Sequence, residues 1–186
     1  MKLNKVLFHL ILLCITLLYN FQIESFAQEL DSKKFEIKSS AFENNEMIPK
    51  LYTCDGNNIS PSIIWTSVPN GTKSLALICD DPDAPSGTWV HWVIYNIRPS
   101  PSELPTKVLS QIATPFGAKQ GINDFQKIGY GGPCPPNGTH RYFFKLYALD
   151  TKLDLSDDVT KDQLLNAIEG HVLGKTELIG KYTKQK

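Results

Sequence analysis

The segment "DDPDAPSGTWVHWVIYN", residues 80–96, joins a polar loop with three carboxylates and two prolines to an apolar stretch that carries one histidine. Alternation within the apolar part predicts a β-strand in which His91, Val93 and Tyr95 share one face. The histidine stands where the polar loop enters the strand. The segment therefore predicts β structure and raises the question of what its loop holds in place.

The rest of the chain follows the same pattern of short apolar segments bounded by Gly, Pro, Asn and Asp, which favours β structure. With 186 residues and 41% hydrophobic content, the chain suits one globular domain with a sizeable core. The predicted strands are residues 73–80, 91–97 and 141–150, with weaker candidates at 34–39 and 176–183.

One helix is predicted near the C-terminus. Thr160 and Gln163 form a T-x-x-Q capping box, and Gly174 can end the helix. We expect the apolar stripe of this helix to pack on a sheet, and we expect His171 to be structural or solvent-facing. The stripe consists of Leu164, Leu165, Ile168 and Val172.

The N-terminus has the anatomy of a secretory signal peptide. Lys2 and Lys5 precede the apolar run 6–18, and Ser25-Phe26-Ala27 is a small-x-small cleavage pattern. Residues 1–27 are therefore predicted to be removed, leaving 28–186 as a single exported domain, periplasmic or secreted. An uncleaved anchor is the alternative, but the run is shorter than the roughly 20 residues that span a bilayer. Lipid attachment at Cys14 is a weaker one.

The charge balance excludes several classes of partner. Removing Lys2, Lys5 and Glu24 from 19 basic and 19 acidic residues leaves a formal charge of −1, and no long lysine or arginine run remains. This gives no electrostatic signal for nucleic acid or an anionic membrane. The chain lacks H-E-x-x-H and paired C-x-x-C spacings, so we expect neither a metal nor another cofactor.

Three cysteines follow the predicted cleavage site. Cys79 shares a strand face with Leu75 and Leu77, so it is interpreted as a small buried hydrophobic residue. Cys54 and Cys134 lie in turn-rich loops, and export favours disulfides. The sequence therefore predicts a Cys54–Cys134 disulfide.

Two strand starts place a histidine after a proline-rich loop. His91 and His140, together with the hydroxyl of Tyr142 and the backbone N–H groups of the "GYGG" turn at 129–132, would offer the donors that an oxyanion or phosphate needs. A nearby carboxylate such as Asp81 can fix a histidine tautomer. The structural alternative is that these histidines are buried core residues whose hydrogen bonds are made within the protein, and that the loop is only a turn.

Four segments resemble the phosphatidylethanolamine-binding protein family, also called the Raf kinase inhibitor protein family. The two most specific are "DPDAPSGTWVHWVIYN" (81–96) and "GYGGPCPPNGTHRYFF" (129–144). "YTCDGNNISPSIIW" (52–65) and "EGHVLGKTELIGKY" (169–182) are similar to the bacterial branch. The resemblance covers essentially all of the chain after the predicted signal peptide.

The resemblance implies an antiparallel β-sandwich with a few short peripheral helices and a small pocket for phosphate, acetate or a phospholipid head group. It also implies a cis peptide bond between Ala84 and Pro85. Cys134 stands where the animal proteins have a glycine. The implied ligand-binding residues are Asp81, His91, Pro135, His140 and Tyr142, and the implied supporting residues are Asp83, Pro85, Cys134 and Arg141.

The function predicted from these residues is a non-enzymatic binding protein for a small anionic ligand that modulates a partner protein. One alternative is inhibition of a protease or kinase through surface loops. Another is a hydrolase that uses Cys134 with His140, or Asp81 with His91. A disulfide at Cys134 would remove the first of these catalytic pairs.

Overall fold

The chain divides into two compact units, Met1–Lys34 and Phe35–Lys186. The predicted signal-peptide cleavage site after Ala27 lies outside the described residues, and so does Cys14. In the part that is described, no helix is long and apolar enough to cross a membrane. The structure, a computed structural model, describes residues 34–184 and positions 15, 16, 18, 19 and 22, the last five of which are helical.

Strands dominate the second unit. Its α-helix, α1, is Lys161–Ile168, and a short 3-10 helix spans Lys50–Tyr52. The predicted strands at 73–80, 91–97 and 141–150 are confirmed to within a few residues. The strands described are β1 (Glu36–Lys38), β2 (Glu46–Met47), β3 (Ile63–Thr66), β4 (Ser74–Asp81), β5 (Trp89–Ile97), β6 (Glu103–Leu104), β7 (Lys119–Gln120), β8 (Thr139–Leu149) and β9 (Val172–Thr183).

The strands form two open sheets that pack face to face. One sheet has the order β1-β3-β6, and the other has the order β2-β9-β8-β4-β5-β7. All pairs are antiparallel except β2 with β9. The predicted fold class, a mainly β sandwich with few helices, is confirmed.

Strand β4 lies at the centre of the larger sheet and is buried along its whole length. Leu75, Leu77 and Cys79 face the core between the two sheets, where they join Trp65 of the smaller sheet. The alternate residues of β4 belong to a second core under α1. Both faces are therefore covered, which explains the continuous apolar run of this strand. Cys79 is buried and unpaired, as the sequence predicted.

Helix α1 covers the second face of the larger sheet. Leu164 and Ile168 are buried there in one cluster with Ile78 and Val93. The predicted capping box is present: the Thr160 hydroxyl accepts from the N–H of residue 163, whose side chain accepts from the Thr160 N–H. The helix therefore begins where the sequence indicated and packs as predicted.

The predicted end of this helix at Gly174 is wrong. The helix ends at Ile168, and Gly170 adopts a φ of +78°, which turns the chain out of the helix. Val172 then starts β9, which pairs with the whole of β8, and its side chain is 43% exposed instead of joining the predicted apolar stripe. His171 is exposed as predicted, and its Nδ1 lies 2.8 Å from a carboxylate oxygen of Asp150.

Replacing Thr160 with alanine should lower the free energy of unfolding by about 1 kcal/mol, because the helix loses the cap that satisfies one of its first N–H groups. Urea denaturation would measure the change. Thr106→Ala is the matched control, since Thr106 is exposed and lies outside helices and strands. An equal loss in both variants would show that the capping box contributes nothing specific.

Candidate functional site

A cavity of about 230 Å³ opens where β4, β5 and β8 meet their connecting loops. Its size suits a small polar group better than a drug-sized ligand, for which pockets of roughly 300 Å³ or more are typical. The five predicted ligand-binding residues all line it. The lining consists of Asp81, Ala84, Pro85, Ser86, Trp89, His91, Phe125, Cys134, Pro135, Pro136, His140 and Tyr142.

A β-bulge directs His91 into this cavity. In the pairing of β4 with β5, Cys79 lies opposite Trp92 and Asp80 lies opposite Val90, so His91 is the extra residue. Simple alternation would have kept His91 on the face of Val93, under α1. The bulge instead places its ring edge-on to Tyr142, with ring centroids 5.1 Å apart. The predicted face of His91 is therefore wrong, although its place in the cavity is not.

The imidazole of His91 is oriented by the backbone. Its Nδ1 lies 2.6 Å from the carbonyl oxygen of Gly131, which can only accept, so Nδ1 carries the proton. This leaves Nε2 for the cavity. Burial lowers the pKa of His91, and the bond to Gly131 and the charge of Asp81 only partly oppose that effect. Near neutral pH, Nε2 of His91 is therefore an acceptor.

His140 is oriented by a carboxylate. Its Nδ1 lies 2.7 Å from Oδ2 of Asp81, and both side chains are nearly inaccessible to solvent. The other carboxylate oxygen of Asp81 accepts from the N–H of Asp83 and so shapes the loop. Asp81 therefore positions His140 and the loop, while Nε2 of His140 is left for the cavity.

Two buried polar atoms of the cavity lining have no hydrogen-bond partner among the described residues, Nε1 of Trp89 and the hydroxyl of Tyr142. Burial and the charge of Asp81 raise the pKa of Tyr142 far above its usual value. The nearby Cys134 N–H acts to lower the pKa of Tyr142, but it does not reach hydrogen-bonding geometry with the Tyr142 hydroxyl. Both groups are therefore neutral donors, and a ligand oxygen would relieve the roughly 1–3 kcal/mol cost of leaving each unpaired.

One wall of the cavity is held by the predicted disulfide. Cys54 and Cys134 are bonded, with their Cα atoms 5.4 Å apart, so this prediction is confirmed. The N–H of Cys54 also donates to the carbonyl of Pro133, and the N–H of Gly132 donates to Oδ1 of Asn58. The bridge occupies the Cys134 thiol, so the predicted hydrolase pair of Cys134 with His140 has no nucleophile while the bridge is intact.

The predicted supporting residues lie around the cavity. Asp83 accepts two hydrogen bonds from the guanidinium of Arg141 and one from its backbone N–H, which ties the loop to β8. This pairing lowers the pKa of Asp83. Neither residue lines the cavity, whereas the other two predicted supports, Pro85 and Cys134, do.

The predicted cis bond between Ala84 and Pro85 is wrong, because the cis bond of the described residues joins Ser100 and Pro101. The N–H of Gly87 donates to the carbonyl of Ala84, which closes a four-residue turn. Pro85 is the second residue of that turn, where a trans proline already supplies the required φ. The loop turns tightly without a cis bond.

Two aromatic residues of the lining were not predicted from the sequence. Trp89 stands two residues before His91, and this spacing in a strand could have indicated that both side chains lie on the same face. Phe125 is remote in sequence, and no local pattern indicated it. Its ring lies edge-on to both Trp89 and His91, with centroids 5.4 and 5.3 Å away, and it is 37% exposed at the cavity.

Hydrolysis and metal binding fit this geometry less well than the binding of a ligand does. In the predicted acid and base pair, the carboxylate of Asp81 hydrogen-bonds to His140, while His91 hydrogen-bonds to the carbonyl of Gly131. Within the described part of the chain, no three His, Cys, Asp or Glu side chains are grouped as metal ligands would be. The arrangement is one of oriented imidazoles and unpaired donors, which can bind an oxygen-rich group.

Comparison with known proteins gives consistent matches. The sequence profile of the phosphatidylethanolamine-binding protein family matches residues 38–183. A UPF0098 protein of Methanothermobacter thermautotrophicus is 55% identical over 148 residues, which cover 80% of this chain and 98% of the relative. A UPF0098 protein of Aquifex aeolicus is 45% identical over 172 residues, covering 91% and 98% respectively.

Solved structures match the same region. The phosphatidylethanolamine-binding protein homologue CT736 of Chlamydia trachomatis is 42% identical with a TM-score of 0.77, covering 83% of this chain and 100% of that one. YbcL of E. coli, described as a member of the mammalian PEBP family, is 32% identical with a TM-score of 0.74, covering 81% and 99%.

Proposed function

The chain belongs to the phosphatidylethanolamine-binding protein family, whose members are generally non-enzymatic binding proteins, and we propose that its cavity binds a phosphate or carboxylate group. The observation that carries the proposal is the pair of unpaired buried donors, Nε1 of Trp89 and the hydroxyl of Tyr142, beside two oriented imidazoles. The phosphate of a phospholipid head group has the same chemistry.

Each group has a distinct part in the proposed complex. Tyr142 and Trp89 donate to ligand oxygens, and His140, which Asp81 holds through Nδ1, presents Nε2 to the same space. Neutral His91 accepts at Nε2, so it favours a ligand that carries a hydroxyl or a protonated phosphate oxygen. The cavity thus holds an anion without a basic surface around it.

The proposal extends to location and partners. Disulfides persist in oxidising compartments, so the Cys54–Cys134 bridge supports action after export. The loops at 82–88 and 134–138 border the cavity, so a bound ligand would form part of the surface that a partner protein meets. Modulation of a partner protein, including inhibition of a protease or kinase, would act through these loops.

Replacing His140 or His91 with alanine should weaken the binding of a phosphodiester. The expected loss is roughly 1.5–3 kcal/mol if the deleted imidazole makes a charge-assisted hydrogen bond to the ligand. A phosphodiester is the probe because the second pKa of a phosphomonoester, near 6, would change the ligand's own charge over the same pH range. Isothermal titration calorimetry measures the affinity. His171→Ala is the matched control, because His171 is exposed and pairs with Asp150.

Affinity should rise as pH falls, since an anion binds the imidazolium form more tightly than the neutral form. Burial lowers the pKa of His91, so its contribution should appear below the ordinary histidine value of about 6.5. The pH dependence should shrink in His91→Ala and persist in His171→Ala. Equal affinities in all four proteins would mean that the cavity does not bind the anion.

A further inference from the structure

The tripeptide Asn-Gly-Thr occurs twice, at residues 70–72 and 137–139, and both asparagines are exposed. In an Asn-Gly pair the glycine backbone nitrogen can attack the side-chain amide carbon of the asparagine, because glycine has no Cβ to obstruct the approach. The two copies share this chemistry, so their surroundings decide which of them reacts.

The first copy lies in a closed turn. Both the N–H and the hydroxyl of Thr72 donate to the carbonyl of Pro69, at 3.2 and 2.6 Å. Gly71 has a φ of +87°, as the third residue of such a turn requires. These bonds fix the backbone around Asn70, which opposes the rotation that the attack needs.

The second copy lies in an open bend. Neither the side chain of Asn137 nor the N–H of Gly138 makes a hydrogen bond with another residue of the described chain. A Cβ built on Gly138 would meet nothing within 4 Å, so the space around the reacting nitrogen is open. Asn137 can therefore reach the reactive geometry more easily than Asn70.

The second copy also adjoins the cavity. Pro136, directly before Asn137, lines the cavity, and His140 follows three residues later. We propose that Asn137 is a site of spontaneous deamidation, and that the resulting carboxylate at the rim weakens anion binding. The first half of this proposal stands on the local structure, and the second half rests on the proposed function.

The reaction needs only water. The backbone nitrogen of Gly138 loses its proton to solvent base and forms a bond to Cγ of Asn137, and the bond from Cγ to Nδ2 breaks to release ammonia. Water then opens the cyclic imide at either carbonyl carbon and gives aspartate or isoaspartate. No electrons are transferred. The product carries one more negative charge than the asparagine.

The new charge should reduce affinity for an anion by roughly three- to tenfold at low salt, because like charges near a partly enclosed site repel. Added salt should shrink the difference, since exposed charges are screened over a Debye length of about 10 Å at 0.1 M. Isoaspartate also lengthens the backbone between Pro136 and β8.

The experiment incubates the purified full chain in mildly alkaline buffer, then reduces the Cys54–Cys134 bridge, which would otherwise join the two tryptic peptides, and follows each peptide by mass spectrometry over time. We expect the peptide with Asn137 to deamidate several-fold faster than the peptide with Asn70, and the Asn137→Gln variant to lose that reaction. Faster or equal reaction at Asn70 would overturn the assignment, whatever the protein binds.

The second measurement titrates the same phosphodiester into Asn137→Asp and Asn70→Asp, which add the same charge at the two copies. We expect weaker binding only for Asn137→Asp, with a difference that falls as salt rises. Equal affinities in the two variants would overturn the link to the cavity. If the unmodified protein binds no phosphodiester, the proposed function fails and the link fails with it, while the relative reaction rates still test the modification site.

Discussion

Replacing both Cys54 and Cys134 with serine is expected to lower the free energy of unfolding by roughly 4 kcal/mol, the loop-entropy value for a bridge that closes 80 residues. The bridge restricts the unfolded chain, so its removal stabilises the unfolded state even where the folded state keeps its shape. Urea denaturation of the variant and the oxidised wild type measures the difference.

Reduced wild-type protein is the control for the two serine side chains, and it should unfold at the same urea concentration as the variant. Native contacts hold the cavity wall besides the bridge: the hydroxyl of Tyr130 donates to the carbonyl of Tyr52, and the N–H of Gly132 donates to Asn58. The folded variant should therefore keep its phosphodiester affinity within a few-fold. A loss of stability below about 1 kcal/mol would contradict the expectation.

Strand periodicity and turn residues are local signals, so they predicted mainly β structure, whereas the sandwich arrangement was implied by the family resemblance. β4, β5 and β8 were each visible in a window of about ten residues. The helix start was also visible, since the capping box of Thr160 is a four-residue pattern. Its end was not, because Val172 satisfies helical spacing and only the pairing of β9 with β8 overrides that spacing.

The cavity shows the same division between local and distant signals. The two loop motifs brought Asp81, His91 and His140 into one predicted site, and the structure places them together. The bulge at His91 depends on how β5 pairs with β4, and that pairing cannot be seen in either strand alone. Phe125 enters from a loop that no motif connects to the site.

Adjacent carboxylates of β4 have opposite roles. The side chain of Asp80 is fully buried and accepts from the amines of Lys145 and Lys161, the first residue of α1. Asp81 points into the cavity and accepts from His140. Asp80 therefore joins the sheet to the helix, whereas Asp81 serves the site.

Asp80→Asn should lower the free energy of unfolding by about 3 kcal/mol, the lower end of the range for breaking a buried ion pair. The lower end applies because the two lysine side chains are 24% and 20% exposed and can turn toward water. Urea denaturation would measure the loss. Phosphodiester affinity of the folded protein should change little, since Asp80 does not line the cavity.

Asp81→Asn is the matched variant at the next residue, and we expect the opposite pattern. It should lose more phosphodiester affinity and less stability than Asp80→Asn. The asparagine keeps an acceptor for the Nδ1–H of His140 but replaces a charge-assisted hydrogen bond with a weaker neutral one, so His140 is held less firmly and affinity for the phosphodiester should fall by roughly tenfold. Its stability loss should be smaller than that of Asp80→Asn, because Asp80 accepts from two lysine amines whereas Asp81 accepts from one imidazole. Equal stability losses with unchanged affinity in both variants would show that the two carboxylates share one structural role and that the cavity does not depend on either.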